Sequence, residues 1–283
     1  MTSPVFYAPY VTVAGAQGAD PVPLRAALTQ SGGDRDRTPT QRTVEVRGEE
    51  AKHAVRVQRL RPGTNVDLVD GSGFRAKGVV AQDVPRTKTA SKDEPVLRVE
   101  VLQAQQDPPS KPRLTLVQAI AKNGRDEQAI ETATELGVDS VVPWQAERCI
   151  VRWDPRKKPV RWQRILLAAM KQSRRSVLPT LDPAVTTAEL AQSVADEVGR
   201  GALVLVCHES AARSFSQVLK AQGVADQPAV TVIVGPEGGI TEAELGVLTE
   251  AGAQAVLLGP HVLRSSTAGP VALAAINLAA ANW

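Results

Sequence analysis

The sequence predicts an α/β protein in which a small β-rich domain precedes a larger domain built on a parallel sheet covered on both faces. Three observations carry this. From residue 114 onward strand and helix patterns alternate, the rhythm of a parallel sheet with crossover helices. Before that point the segments are β-type and contain a hairpin signal. Between the two patterns QAQQDPPSKPR, residues 103–113, is polar and proline-rich, as a linker would be. The predicted division is 1–105, a linker over 106–113, and 114–283.

In the first domain PVFY reads as a short strand. Residues 14–42 mix Gly, Asp, Arg, Thr and Pro without apolar periodicity and read as a long mobile loop, an insertion. TVEV and VLRVEVL are strands, and DGSG splits NVDLVDGSGFRAKGVVAQ into a hairpin. EEAKHAVRVQRL reads as a helix that stops at Arg61-Pro62-Gly63, with His53, Arg56 and Arg59 giving it a basic end. In the second domain the strands are LTLVQAI, VDSVVPW, ALVLVCHE, AVTVIV and AVLLG. The helices are RDEQAIETATELG, VRWQRILLAAMKQSR, SFSQVLKAQG, TEAELGVLTEAG and STAGPVALAAINLAAA.

Composition narrows the function. Hydrophobic residues are 43% and charged residues 22% of 283, the balance of a folding globular chain. No run approaches eighteen apolar residues and the start lacks a secretory pattern, so neither a membrane partner nor export is expected, and the cytoplasm is the expected location. Cys149 and Cys207 are too far apart for a CxxC site, and His53, His208 and His261 are scattered, so no metal is expected. Charge is uneven: residues 111–180 hold fourteen Lys and Arg against seven Asp and Glu, and residues 181–283 hold four against ten. The bias is steepest from Arg148 to Arg175, where only Asp154 is acidic besides the basic side chains. Such a surface suits a polyanion; a merely solvated basic helix face is the alternative.

Two glycine loops carry the chemistry. AVTVIV runs into Gly235-Pro236-Glu237-Gly238-Gly239, and Thr241 with Glu244 then forms a capping box. AVLLG delivers Gly259-Pro260-His261-Val262-Leu263-Arg264-Ser265-Ser266-Thr267 ahead of the last helix. Side by side, two such loops make a ligand crevice at the carboxyl ends of the strands; apart, they are ordinary turns. Neither a P-loop nor GxGxxG is present, which disfavours a triphosphate or a dinucleotide and leaves a neutral adenosine-type cofactor.

GPEGGITEAEL followed by LLGPHVLRSSTA resembles the carboxyl-terminal signature of the 16S ribosomal RNA uracil-N3 methyltransferases, members of the trefoil-knotted SPOUT methyltransferases. KNGRDEQAIETATELGVDSVVPWQAERC and RWQRILLAAMKQSRRSVLP resemble further stretches of that family, and HAVRVQRLRPG with the DGSG hairpin is similar to its PUA-like amino-terminal domain. The resemblance runs in order from about residue 43 to the end. It implies a knotted domain that pairs as a homodimer. S-adenosylmethionine would be held by Val234, Gly235, Pro236, Glu237, Gly238 and Gly239 and by Leu258, Gly259, Val262, Leu263 and Thr267. The implied target is a uridine of 16S rRNA in the small ribosomal subunit, position 1498 in the customary numbering. The chain departs from the family pattern at His261, where Arg is usual, at Ser265 and Ser266, where Thr-Glu is usual, and at Thr132, where Lys is common.

Methyl transfer needs alignment and a nucleophile with a free lone pair, whereas uracil N3 carries a proton. Arg264 is the catalytic candidate, a cation for the charge that develops on O2 or O4; gripping a phosphate or a partner-chain carboxylate is its alternative role. His261 is a lesser candidate for the base, and Glu237 reads as an acceptor that orders its loop. RNA docking is assigned to His53, Arg56, Arg59, Arg125, Arg148, Arg152, Arg161, Arg174 and Arg175. The rival readings are another knotted ribosomal or transfer-RNA methyltransferase, a non-catalytic RNA-binding assembly factor, and a nicotinamide oxidoreductase.

Overall fold

The computed structural model describes residues 3–13, 20–29, 42–82 and 94–283. The chain divides into two compact units, Met1–Pro108 with Arg174–Leu178, and Pro109–Ser173 with Pro179–Trp283.

The first unit is a seven-stranded sheet formed by β1 (Val5–Tyr7), β2 (Tyr10–Val13), β3 (Val22–Pro23), β4 (Arg42–Val46), β5 (Asn65–Val69), β6 (Phe74–Val80) and β7 (Leu97–Gln106), in the order β1-β5-β6-β7-β4-β2-β3. Only the β1–β5 pair is parallel. Period-two patterning explains the core: Leu97, Val99 and Val101 turn inward from β7 to meet Phe6, Leu24 and Leu68. The DGSG turn joins β5 to β6 as its sequence predicts. The Asp70 carboxylate accepts from the backbone N–H of Ser72 and Phe74 at 2.7 and 3.1 Å, while Gly73 takes a φ of +94° that a side chain would resist.

Two expectations for this unit are corrected. Residues 20–29, expected within a mobile loop, form β3 and helix α1 (Leu24–Thr29), with Leu24 and Ala27 buried. Their i, i+3 spacing is a helical stripe too short to stand out among polar neighbours. The remainder of the expected insertion up to residue 41 lies outside the described residues, except Val13's neighbour strand β2 at its start. The basic helix is short: α2 (Glu49–Lys52) passes into a π-helical turn over His53–Val57, in which Gln58 N–H donates to the His53 carbonyl. The segment Arg174–Leu178 belongs to this unit, where Ser176 Oγ donates to Asp107 and Arg75 donates to both Asp107 and the Arg174 carbonyl. Burial alone would raise the Asp107 carboxyl, but hydrogen bonds from Ser176, Gln105 and Arg75 outweigh it and hold the group below the usual aspartate value.

The second unit is a six-stranded, wholly parallel sheet with the order β10-β9-β8-β12-β11-β13. Its elements run β8 (Arg113–Ala119), α3 (Arg125–Glu135), β9 (Ser140–Trp144), α4 (Lys158–Gln172), β10 (Thr180–Leu181), α5 (Thr187–Gly199), β11 (Leu203–Cys207), α6 (Phe215–Gln222), β12 (Ala229–Val234), α7 (Glu242–Glu250), β13 (Gln254–Val256) and α8 (Ser265–Ala279). The central strands β8, β11 and β12 are buried along nearly their whole length, so their continuous Val and Leu runs require cover on both faces. Helix α8 supplies part of it, packing on β8 and β12 and against α3 and α6. The irregular backbone between β7 and β8 is residues 107–112, one residue shorter at each end than the expected linker. Both β10 and α5 went unpredicted. Helix α5 opens on a capping box, Thr186 with Glu189, and buries Leu190 and Val194 at i, i+4, a signature that LDPAVTTAELAQSVADEVG does contain.

Candidate active site

Parallel topology places every strand's carboxyl end on one edge of the sheet, and the loops leaving β11, β12 and β13 meet there around a cavity of about 600 Å3. Its wall comprises Cys207, His208 and Glu209 after β11, Val234 to Ile240 after β12, Leu257 to Arg264 after β13, and Arg125, Ser265 and Ala268 from flanking helices. The two glycine loops, assigned to one crevice from sequence, therefore line one cavity.

The loop after β12 is held from several sides. Gly239 N–H donates to the Pro236 carbonyl at 3.0 Å, and Arg148 Nη1 donates to the Gly238 carbonyl at 3.1 Å. A Cβ at Gly238 would lie 2.9 Å from Arg148 Cβ and 3.1 Å from its carbonyl oxygen, so glycine is needed for the two backbones to approach. Arg125 Nη1 pairs with Glu237 Oε1 at 3.3 Å, which occupies the carboxylate in the ordering role expected of it. One turn further on, the buried Glu244 carboxylate accepts from Thr187 Oγ1 and Glu147 N–H at 2.8 Å and from Thr241 N–H and Oγ1 at 3.1 Å. Burial favours its neutral form, yet those donors prevail and keep its carboxyl below the ordinary glutamate value.

The loop after β13 is tied only at its stem. Leu257 N–H donates to the Arg213 carbonyl and the Leu257 carbonyl accepts from Phe215 N–H, both at 2.9 Å. Beyond the stem Pro260, His261 and Arg264 are exposed, and Val262 is 85% exposed. The Arg264 side chain makes no ion pair among the described residues, which leaves its charge available to something in the cavity. From β11, Cys207 contributes a thiol that burial pushes up to about 12, so it is neutral and a poor nucleophile. His208 is buried, with Nδ1 2.8 Å from Ser210 Oγ.

Of the eleven residues assigned to the cofactor, ten line this cavity and Thr267 does not. The reason is helical geometry: Ser265 and Ala268, three apart on α8, share the cavity face, and Thr267 points to solvent. Sequence reasoning missed Cys207, His208 and Glu209, which the rule that ligands sit beyond strand carboxyl ends could have found in ALVLVCHE. The residues assigned to RNA divide by unit. His53, Arg56 and Arg59 are exposed together on the first, and Arg174 and Arg175 also belong to it. On the second, Arg152 and Arg161 are exposed, Arg161 pairing with Glu127 at 2.6 Å, whereas Arg125 and Arg148 contact the glycine loop itself. Among the described residues no cluster of side chains could hold a metal ion, and no helix is long and apolar enough to cross a membrane.

A parallel sheet with glycine loops converging on a cavity at its carboxyl edge, in a chain that also has a β-rich unit with an exposed basic turn, defines the class: an α/β ligand-binding protein built for a polyanionic partner. The family follows from comparison. Residues 108–277 match the RNA methyltransferase domain family and residues 46–83 match the RNA methyltransferase PUA domain family. Ribosomal RNA small subunit methyltransferase E of Mycobacterium bovis is 43% identical over 241 residues, 84% of this chain and 87% of that one. The protein of the same name from Bacillus subtilis is 31% identical over 83% of this chain and 90% of its own. Among solved structures, ribosomal RNA small subunit methyltransferase E of Neisseria gonorrhoeae bound to S-adenosyl methionine superposes with a TM-score of 0.73 at 27% identity, covering 98% of both chains. The chain belongs to the RNA methyltransferase family that these ribosomal RNA small subunit methyltransferases E represent.

Proposed function

We infer that this protein transfers the methyl group of S-adenosylmethionine to N3 of a uridine in 16S rRNA, at position 1498 by family resemblance. One observation carries the reading: both glycine loops line a single cavity whose size suits a small cofactor. The residues present fit that cofactor. Backbone groups freed by Gly235, Gly238 and Gly239, with the apolar side chains of Leu257, Leu258, Val262 and Leu263, suit an adenosine and a thioether arm without a phosphate cradle. The cofactor, when bound, supplies an electrophilic methyl on a sulfonium.

The chain's own residues orient and neutralise. Arg125 and Arg148 fix the Gly235–Gly239 backbone before any ligand arrives. Arg264 presents an unpaired guanidinium on the cavity wall, where it stabilises the negative charge that uracil O2 or O4 acquires as N3 loses its proton. The uridine presents its Watson–Crick edge unpaired, and phosphates are met by His53, Arg56 and Arg59 and by Arg152, Arg161, Arg174 and Arg175. Pairing of two chains, a trefoil knot through the last strands, and action in the cytoplasm belong to the same reading; they rest on resemblance, and exposed Val262, Val271 and Leu278 near or on α8 suit a dimer surface.

N3 methylation removes a Watson–Crick donor and stops reverse transcriptase. Primer extension on small-subunit RNA from a deletion strain should lose one stop, restored by the wild-type gene; an unchanged stop pattern would refute the reading.

A further inference from the structure

Helices α5, α6 and α7 each begin with a capping box that satisfies their first N–H groups. Helix α8, fifteen residues long, has none: Arg264 at its N-cap makes no side-chain cap, and its first turn holds no acidic residue. Thr267 and Ala268 N–H both donate to the Arg264 carbonyl, which leaves the N–H groups of Ser265 and Ser266 without an intrahelical acceptor. A second observation points to a ligand here. Ser265 lines the cavity at 6% exposure, and its Oγ is buried with no hydrogen-bond partner. A buried hydroxyl left unpaired costs stability, and a hydroxyl beside a helix amino end is a donor set for an anion.

We propose that Ser265 Oγ and the amino end of α8 bind the carboxylate of the methyl donor's amino-acid tail. The inference rests on the reading that the cavity holds S-adenosylmethionine, and it adds a residue and a ligand group to it. Arg264 is left free for the nucleobase. A phosphate of the RNA has similar chemistry, but Ser265 is buried in the cavity wall, a position for a group held within the cavity rather than for a backbone passing outside it.

The test is a cycle of two proteins and two ligands in calorimetry: wild type and Ser265→Ala, each titrated with S-adenosylmethionine and with its decarboxylated form, which lacks only the carboxylate. Wild type should bind the decarboxylated form about tenfold more weakly, and Ser265→Ala should weaken S-adenosylmethionine about tenfold while leaving the decarboxylated ligand unchanged. Ser265→Thr should restore the preference. The ligand-free Ser265→Ala protein should melt no lower than wild type, because the hydroxyl it loses is unpaired. Equal weakening of both ligands, or of neither, would overturn the proposal. So would unchanged binding of both ligands with weakened binding of a 16S rRNA fragment, which would assign the site to phosphate. If wild type binds neither ligand, the cofactor reading itself fails and this proposal falls with it.

Discussion

The two glycine loops share a cavity but are built differently. The Gly235–Gly239 loop is clamped by Arg148 on its backbone and Arg125 on its carboxylate, whereas the Leu257–Arg264 loop is hydrogen-bonded at its stem and exposed at its tip. A Cβ at Gly238 meets Arg148 at 2.9 Å, and one at Gly259 meets nothing within 4 Å. The difference teaches that one wall of the site is preorganised. The other is free to close on a ligand or a second chain, and it is the free wall that carries Arg264.

The largest expected effect tests the free wall. Arg264→Ala should lower kcat by about 100- to 1000-fold, as loss of one charge-stabilising donor does, with the affinity for S-adenosylmethionine unchanged. Wild-type turnover by that variant would remove Arg264 from the chemistry.

Next comes the support of the clamped wall. Glu244→Ala strands buried donors on Glu147, Thr187 and Thr241 and should cost about 2–4 kcal/mol of stability by denaturant unfolding. The carboxylate also sets a pH signature. Because its folded pKa lies below the ordinary value of 4.5, its contribution is fully present above about that pH and disappears as pH falls through the folded value. Glu244→Gln should therefore flatten the acid limb of a stability–pH curve below that value; an unaltered limb would show that the carboxylate's charge is immaterial.

Smaller effects separate the loops directly. Gly238→Ala should weaken cofactor binding about tenfold, or about 1.4 kcal/mol, because the backbone must move away from Arg148. Gly259→Ala should change it by less than about 0.5 kcal/mol, since open space surrounds the site. Equal losses in calorimetry would erase the distinction between a held and an open wall.

The sequence made the sheet and the loops legible for physical reasons. Long Val and Leu runs declare doubly covered strands, and glycine clusters after them declare close backbone approach, so β11, β12 and the GPEGG loop could be placed without coordinates. What stayed hidden depends on distant pairings. Arg148 lies 90 residues from Gly238 and Arg125 lies 112 from Glu237, so both read as surface cations for RNA when their local sequence was all there was. Thr267 was assigned to the cofactor because a loop motif takes no account of where the helix begins; once α8 starts at Ser265, helical rotation carries Thr267 away. Helix α5 was passed over although Thr186 and Glu189 mark its start, because DPAVTT before it resembles a loop.

Hydrogen–deuterium exchange with and without S-adenosylhomocysteine tests most directly whether the two loops hold the cofactor together. Protection should appear in both 235–240 and 257–268, with the larger gain in the second, whose tip is open before binding. Saturable binding that leaves either segment unprotected, or protects a surface elsewhere, would contradict the account.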